Sequence, residues 1–236
     1  MKKIALVTGG SKGIGSAIVK RLSASGYEVI ATYNTTTPYE KIENVLFKQL
    51  DISCFLSCAQ LLAELDELGL FPNVLVNNAG ITNDAMFHKM THQAWENVIN
   101  VNLKSLFNLT QPIFTRMREK KFGRIVNISS VNANKGQAGQ ANYCAAKAGA
   151  QGFTKALALE GARHGITVNT VSPGYTQTDM MNKIKPETLD EIKKSIPLGR
   201  LASVEEVASQ VEFLTSDFAA YTTGANFDVN GAMYCS

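Results

Sequence analysis

A tyrosine and a lysine lie four positions apart in the segment GQAGQANYCAAKAG, which spans residues 136–149. If this segment is helical, Tyr143 and Lys147 lie on one face, because positions i and i+4 are neighbours on a helix. A free tyrosine has a pKa of about 10, and a nearby ammonium group lowers that pKa by favouring the phenolate. The pair therefore predicts an acid–base group, Tyr143, whose pKa Lys147 lowers towards neutral pH.

Two further polar residues precede this pair in the chain. Ser130 ends the predicted strand RIVNISS, and ligands bind beyond the carboxyl ends of strands in open α/β sheets. Its hydroxyl is therefore expected to hydrogen-bond a substrate carbonyl. Asn102 lies within a predicted helix, where a buried amide needs hydrogen-bond partners. Together, and in this order, Ser130, Tyr143, Lys147 and Asn102 indicate a catalytic set.

A glycine-rich turn, TGGSKGIG, follows the first predicted strand and places Gly9, Gly13 and Gly15 before a helix. Such a turn brings backbone N–H groups and a helix N-terminus against a pyrophosphate, since glycine has no Cβ to block the approach. The spacing G-x-x-x-G-x-G differs from the G-x-G-x-x-G of the commonest dinucleotide motif. A purely structural turn is the alternative.

The end of the second predicted strand bears on the choice of cofactor. Tyr33 and Asn34 stand where an NAD-binding protein carries an acidic residue for the ribose 2′-hydroxyl. The missing acid, together with Lys12 in the glycine turn and the hydroxyls of Thr35 and Thr36, favours NADP(H). Lys12 is alternatively a solvated surface lysine.

Short apolar runs rich in β-branched residues alternate with longer helical patterns along the chain. The predicted strands are residues 3–9, 27–33, 44–51, 73–80, 123–130, 166–174 and 226–231. The predicted helices are residues 14–25, 54–68, 92–119, 142–164 and 204–216. This alternation is typical of an α/β fold: a single Rossmann-type doubly wound domain over residues 1–236, with a mainly seven-stranded parallel sheet and helices on both faces.

Three segments depart from the simple alternation. Residues 35–44 are too few for a full crossover helix, so a short turn of helix or a loop is predicted there. Pro112 is predicted to kink the helix over 92–119 or to end its first segment. Residues 176–202 are rich in polar residues, and we expect them to form a substrate lid.

Composition and charge argue against several classes of function. A formal net charge of +3 is too weak for a protein whose main partner is nucleic acid, which needs a concentrated basic face. No apolar run reaches the roughly 18–20 residues of a membrane span, and the N-terminal apolar run is too short for a signal peptide. The four cysteines show no metal-ligand spacing, so no metal site is expected. Reduced thiols predict a cytoplasmic protein.

A set of motifs occurs in a fixed order along the chain. They are Thr8-Gly9-x-x-x-Gly13-x-Gly15, the NNAG of Asn77 to Gly80, Asn102, Ser130, Tyr143-x-x-x-Lys147 and Pro173-Gly174. In this order they resemble the short-chain dehydrogenase/reductase family, and the resemblance covers essentially the whole chain. It implies a nicotinamide-dependent oxidoreductase that assembles as a homotetramer through its long helices and its C-terminal strand.

The resemblance also implies a role for each residue of the site. Tyr143 would be the general acid in reduction, Ser130 would position the carbonyl, and Lys147 would lower the tyrosine pKa and hold the nicotinamide ribose. Asn102 would maintain a proton-relaying water. The implied cofactor contacts are Thr8, Gly9, Ser11, Lys12, Gly13, Ile14, Gly15, Tyr33, Asn34, Asp51, Ile52, Asn78, Ala79, Gly80, Tyr143, Lys147, Pro173, Gly174 and Thr178. Asp51 would contact the adenine and Thr178 the nicotinamide carboxamide.

Within the family, the segments SSVNANKGQAGQANY and TVSPGYTQTDM look most similar to acetoacetyl-CoA reductases, with 3-oxoacyl-[acyl-carrier-protein] reductases as the alternative. Gln137, Gln140 and Tyr175 are predicted to surround the reacting carbonyl, and Lys89 to meet a phosphate of coenzyme A. Alternatively, the two glutamines satisfy loop backbone groups and Lys89 is solvated. The expected partner is therefore a small acyl thioester, carried by coenzyme A or by an acyl carrier protein.

A carrier protein is strongly acidic, so its reductase needs a basic docking patch near the cleft. Lys120, Lys121 and Arg124 are predicted to form this patch, with Arg163 beyond them. His164 stands where the carrier-protein reductases carry arginine, which favours coenzyme A.

Two other functions fit the same motifs less well. A non-catalytic nicotinamide-binding regulator would share the fold, since a fold alone does not establish catalysis, but it would lack part of the catalytic set. A steroid or sugar dehydrogenase of the same family would need a bulkier apolar pocket, which a single sequence does not exclude.

Overall fold

Seven parallel strands form one sheet in the part of the chain that the computed structural model describes, namely residues 3–36, 41–178, 181 and 184–235. The strands are β1 (Ile4–Val7), β2 (Glu28–Tyr33), β3 (Val45–Gln49), β4 (Val74–Asn77), β5 (Gly123–Ile128), β6 (Ile166–Pro173) and β7 (Asn226–Val229). Their order is β3-β2-β1-β4-β5-β6-β7. The order reverses between β1 and β4, which is where open α/β sheets bind ligands. The predicted doubly wound α/β fold is confirmed.

Helices cover both faces of this sheet. They are α1 (Gly13–Ala24), α2 (Phe55–Glu67), α3 (His92–Ile99), α4 (Ser105–Lys120), α5 (Asn132–Lys135), α6 (Ala141–Gly161), α7 (Pro186–Ser195) and α8 (Val204–Thr215). Along β1, Ile4 and Leu6 pack with residues of α2, α4 and α6, whereas Ala5 and Val7 pack with residues of α1 and α8. All four side chains are buried, which explains why the strand reads as a continuous apolar run.

The region predicted as one helix over 92–119 contains a π-helical turn, Asn100–Lys104, between α3 and α4. Pro112 lies inside α4, which runs through it, so of the two outcomes predicted for Pro112 the end of a helical segment is wrong and the kink stays a prediction. Burial of Leu109 and Ile113 against the sheet outweighs the hydrogen bond that the proline cannot donate. The departure from α-helical geometry occurs earlier, around Asn102.

A chain of buried polar side chains ties the central strands to α4 and α6. Asn77 Nδ2 donates to Thr110 Oγ1 (3.1 Å) and to Asn127 Oδ1 (2.8 Å). Asn127 Nδ2 donates to Thr154 Oγ1 (2.8 Å), which also accepts from Thr170 Oγ1 (2.8 Å). Since every member is buried and bonded, the chain fixes β4, β5 and β6 relative to the two helices.

Two connections lie partly outside the described residues. Between β2 and β3, residues 34–36 and 41–44 form no helix, as predicted, and residues 37–40 are not described. In the segment 176–202, Thr176 and Ala202 form a parallel bridge, and Gln177 N–H donates to the carbonyl of Ala202 (2.8 Å). The two ends of the segment that carries α7 are therefore hydrogen-bonded to each other. No helix among the described residues combines the length and the apolar character needed to cross a bilayer.

Replacing Thr154 tests the buried polar chain. Thr154→Val should lower the free energy of unfolding by about 2 kcal/mol, because Asn127 and Thr170 each lose an acceptor. Thr154→Ser keeps the hydroxyl and loses one methyl group, so it should cost about 1 kcal/mol or less. Urea denaturation followed by circular dichroism measures both. A serine variant as unstable as the valine variant would contradict the role of the hydroxyl.

Candidate active site

The glycine-rich turn after β1 and the turn after β4 are bonded to each other at the carboxyl edge of the sheet. Thr8 Oγ1 accepts from the N–H groups of Asn78 and Ala79 (3.0 Å each), and Asn78 Nδ2 donates to the carbonyls of Thr8 (2.9 Å) and Gly9 (3.2 Å). A Cβ added to Gly15 would lie 2.1 Å from the carbonyl oxygen of Gly9. Packing therefore requires a glycine at position 15.

The start of α1 fits a bound pyrophosphate. The helix begins at Gly13, and Lys12 at its N-cap makes no side-chain hydrogen bond to the first turn, so N–H groups remain for an anion. Lys12 is exposed, whereas Ser11 and Ile14 are partly buried. A Cβ added to Gly13 would lie 3.4 Å from Thr178 Cγ2, so the structure brings Thr178 across the cleft to this turn.

The predicted adenosine contacts line the ends of β2 and β3. Tyr33, the last residue of β2, is half-buried, and Asn34 and Thr35 are exposed. After β3, Asp51 Oδ1 accepts from the backbone N–H (2.9 Å) and the hydroxyl (2.7 Å) of Ser53. Ile52 is buried. Pro173 and Gly174 lie at the end of β6, with Gly174 packed closely against Asn230.

Ser130, Tyr143 and Lys147 come together between β5 and α6. The side chains of Ser130 and Tyr143 are hydrogen-bonded, and Ser130 Oγ also accepts from the backbone N–H of Asn132 (3.1 Å). Lys147 Nζ lies 5.7 Å from the centroid of the Tyr143 ring and donates to the carbonyl of Ile128 (2.8 Å). The predicted i, i+4 arrangement on a helix is present, since both residues belong to α6.

Protonation in this cluster is governed by burial. Burial raises the pKa of Tyr143, the hydrogen bond to Ser130 lowers it, and the charges of Cys144 and Asp84 raise it. Burial also lowers the pKa of Lys147 from 10.5 to about 8. The pKa of Tyr143 is therefore raised, opposite to the direction predicted from the neighbouring lysine, because the cost of burying a phenolate is the largest effect on this group.

Asn102 and Gly80 complete the floor of the site. Asn102 Oδ1 accepts from the N–H of Ile81 (3.2 Å), while Nδ2 donates to the carbonyls of Ile81 and Val98 (2.9 Å each). A Cβ added to Gly80 would lie 2.5 Å from Asn102 Oδ1 and 3.4 Å from Lys147 Nζ. Asn102 thus fixes the turn after β4 beside the lysine. The role of Asn102 in maintaining a proton-relaying water molecule stays a prediction.

The predicted substrate residues lie in different surroundings. Gln140 uses both ends of its amide: Nε2 donates to Asp84 Oδ2 (2.8 Å), and Oε1 accepts from Asn132 Nδ2 (2.9 Å). Gln137 Oε1 accepts from Lys135 Nζ (3.0 Å). These partners are side chains and not the loop backbone groups of the alternative, and the assignment of both glutamines to substrate binding stays a prediction. The structure brings Gln140, but not Gln137, into the network of Ser130.

Tyr175 and Lys89 are not brought into contact with the catalytic residues. Tyr175 lines a cavity of about 260 Å³ with Arg200, Asp228 and Asn230, and none of Ser130, Tyr143 and Lys147 lines it. Lys89 is exposed at the end of a short 3₁₀ helix, Phe87–Lys89. Both assignments to substrate binding stay predictions.

Comparison with known proteins decides the family. The model of the short chain dehydrogenase family matches residues 3–189. The chain belongs to this family. The family and its fold, both predicted from the motifs, are thereby confirmed, and the glycine turn, the helix N-terminus and the Tyr143–Lys147 pair described above fit its nicotinamide cofactor.

Relatives of this dehydrogenase span its whole length. It is 50% identical to the acetoacetyl-CoA reductase of Shinella zoogloeoides over 240 residues, covering 99% of each chain. It is 44% identical over 242 residues to the 3-oxoacyl-[acyl-carrier-protein] reductase of Pseudomonas aeruginosa, covering 99% of this chain and 98% of the relative. A crystal structure described as a gluconate dehydrogenase from Agrobacterium tumefaciens is 30% identical, with a TM-score of 0.93 over 98% of this chain and 95% of the other.

Two positioning residues of the dehydrogenase escaped the sequence-based prediction. Asn142 is fully buried, and its Nδ2 donates to the carbonyls of Asn83 and Ala94 (3.1 Å each). Ser129 Oγ donates to the carbonyl of Lys147 (3.0 Å). The available signal was that a polar residue directly precedes two of the four predicted catalytic residues, in the pairs Ser129–Ser130 and Asn142–Tyr143.

The predicted carrier-protein docking patch is wrong. Arg124 is the second residue of β5, six residues and roughly 20 Å before Ser130, and therefore lies at the opposite edge of the sheet. It is also only 4% exposed, and its guanidinium donates to the carbonyls of Gly123 (2.9 Å) and Gly165 (3.2 Å). Lys120, Lys121 and Arg163 precede β5 and β6, and so lie at the same edge as Arg124, away from the cleft.

The pKa of Lys147 makes stability depend on pH. Between pH 8 and 10.5 the unfolded chain binds a proton at Lys147 that the folded chain does not, so the free energy of unfolding rises with pH across this window. The gain amounts to about 3 kcal/mol. Urea denaturation at several pH values should show this rise in the wild type and lose it in Lys147→Met. Lys155→Met, exposed on the same helix, should behave as the wild type; an equal loss there would contradict the assignment.

Proposed function

We propose that this chain catalyses the NADPH-dependent reduction of acetoacetyl-CoA to (R)-3-hydroxybutyryl-CoA, a precursor of polyhydroxyalkanoates. The observation that carries the proposal is the hydrogen-bonded Ser130–Tyr143 pair beside Lys147, in a chain 50% identical over its full length to acetoacetyl-CoA reductases. The chemistry is that of an oxidoreductase acting on a 3-oxoacyl thioester.

Ser130 and Tyr143 have different roles in the reaction. When bound, NADPH supplies a hydride to the carbonyl carbon. Ser130 Oγ accepts the N–H of Asn132, which leaves its own proton for the carbonyl oxygen. Tyr143, with its raised pKa, remains protonated at neutral pH and donates its proton to the developing alkoxide. General acid assistance of this kind contributes roughly 10²- to 10⁴-fold to the rate.

NADP(H) is the proposed cofactor because neither Tyr33 nor Asn34, at the end of β2, is acidic. A carboxylate near Tyr33 or Asn34 would repel the 2′-phosphate of NADPH. Lys12 is exposed at the glycine turn, and the hydroxyl groups of Thr35 and Thr36 lie just beyond the strand. These groups can bond a phosphate, whereas an NAD-specific site would hold the free ribose hydroxyl with an acid.

An acyl-carrier-protein thioester is the second candidate substrate. The relative from Pseudomonas aeruginosa supports it, and both thioesters share the same reacting head group. The observation that favours coenzyme A is the position of Lys120, Lys121 and Arg124 at the far edge of the sheet. An acidic carrier docked at the cleft would not meet these cations.

A homotetramer in a reducing compartment is proposed on two further features. Phe107 on α4 and Leu159 on α6 are exposed, and a cavity of about 430 Å³ between these helices is lined by Phe107, Phe114, Phe153 and Leu157. Such an apolar surface is typical of a subunit contact.

The four cysteines are free, which fits the cytoplasm.

NADPH oxidation by the purified protein tests the proposed substrate. Acetoacetyl-CoA should be preferred over acetoacetyl carrier protein at matched concentrations, whereas a carrier preference would establish the second candidate.

Tyr143→Phe should abolish turnover and leave NADPH binding nearly unchanged, because only the proton donor is lost. Tyr221→Phe changes a fully exposed tyrosine and serves as the control. Retained activity in Tyr143→Phe would remove Tyr143 as the acid.

A charge introduced after β2 tests the cofactor. Tyr33→Asp should shift the ratio of kcat/KM for NADPH over NADH by roughly tenfold towards NADH, because a carboxylate repels the 2′-phosphate and bonds the ribose hydroxyl. Tyr33→Asn removes the same ring without adding charge and is the matched control. Equal ratios in the two variants would mean that the 2′-phosphate is recognised elsewhere.

A further inference from the structure

The segment after β4 and the start of α6 are joined by three hydrogen bonds. We call residues 83–85 and 139–142 the clasp. Two of its bonds use a backbone carbonyl group, one from each segment, and the third joins two side chains: Gln140 Nε2 donates to Asp84 Oδ2 (2.8 Å). The clasp therefore connects a carboxylate at the rim of the cleft to the helix that carries Tyr143.

From Asp84 the hydrogen bonds continue inward to the tyrosine. Gln140 Oε1 accepts from Asn132 Nδ2 (2.9 Å), and the backbone N–H of Asn132 donates to Ser130 Oγ (3.1 Å). The hydroxyl of Ser130 is bonded to that of Tyr143. Since both polar groups of Gln140 are engaged, this side chain links the carboxylate to the catalytic pair.

The charge of Asp84 acts on the same tyrosine. Burial raises the pKa of Tyr143 most, and the negative charge of Asp84 raises it further. From α6 itself, Cys144 acts in the same direction, and Lys147 Nζ lies 5.7 Å from the ring centroid. From the end of α5, the ammonium of Lys135 donates to oxygens of Gly136 and Gln137 in the loop that follows. Among the described residues, Asp84 is thus the carboxylate that raises the pKa of Tyr143 from a different segment of the chain.

We infer that Asp84 is a positioning residue for the reduction, because it holds Ser130 beside Tyr143 through Gln140 and Asn132. Its negative charge also acts on that tyrosine. The inference rests on the proposed function only for the nature of the substrate. Orientation and charge act together, because reduction needs the serine proton aimed at the carbonyl and the tyrosine proton still in place.

Gln140→Leu tests the positioning, because it breaks both links of the glutamine and leaves the charge of Asp84 in place. The single-turnover rate of NADPH oxidation at saturating acetoacetyl-CoA should fall about tenfold, the effect of losing one oriented hydrogen bond, with KM little changed. A raised KM with an unchanged rate would mean that Gln140 binds the substrate directly, and would overturn the inference.

Asp84→Asn tests the charge, because it keeps the size of the side chain and the oxygen that accepts from Gln140. Without the negative charge Tyr143 loses its proton more readily, so the alkaline limb of the pH profile for reduction should move to lower pH. An ultraviolet difference titration of tyrosinate, with Tyr143→Phe as the blank, should move in the same direction. An unchanged profile together with an unchanged titration would overturn the inference.

Asn83→Ala is the matched control, because Asn83 contributes only its backbone carbonyl to the clasp. It should match the wild type in rate, KM and titration; the same changes as in Asp84→Asn would assign the effect to the loop as a whole and overturn the inference. The titration needs no substrate. If the wild type oxidises no NADPH with acyl thioesters, the proposed function fails, while the titration still decides the role of Asp84.

Discussion

The buried ammonium group of Lys147 is the constraint around which the site is arranged. A charged group removed from water is costly unless hydrogen bonds compensate, and Lys147 is only 5% exposed. The carbonyl at the end of β5, from Ile128, accepts its hydrogen bond, and Gly80 leaves the space that a side chain would fill. Ser129 bonds the lysine backbone in turn. One side chain therefore sets the relative positions of β5, α6 and the turn after β4.

Buried polar residues are concentrated behind the cleft. The buried chain from Asn77 to Thr154 lies on the strands and the helix that bear the catalytic residues. Such a network, with every member bonded, has few alternative arrangements. The catalytic residues come from separate segments of the chain, and the network holds those segments together without using the catalytic side chains themselves.

Much of this arrangement could be predicted from the sequence because the signals are local. Strands buried on both faces read as apolar runs, and the spacing of Tyr143 and Lys147 follows from helix geometry. Ser130 could be assigned because a strand end in a parallel sheet has a defined edge. The same rule would have placed Arg124, the second residue of that strand, at the opposite edge.

The remaining features depend on contacts between distant segments, which local patterns do not contain. The π-helical turn forms where the Asn102 amide bonds the backbone of Ile81, a partner twenty-one positions away. The raised pKa of Tyr143 reflects burial by the whole fold, which is the largest effect on this group. Gln140 resembles a substrate ligand by position, yet its partners are Asp84 and Asn132, of which Asp84 lies fifty-six positions away.

The bridge between Thr176 and Ala202 has a consequence for how such enzymes diversify. Because the two ends of this excursion are fixed to each other, the segment between them can change in length or composition without moving β6, at little cost in loop-closure entropy. The catalytic residues lie on other elements and are not disturbed by such an exchange. The excursion can therefore differ between relatives while Ser130, Tyr143 and Lys147 keep their positions.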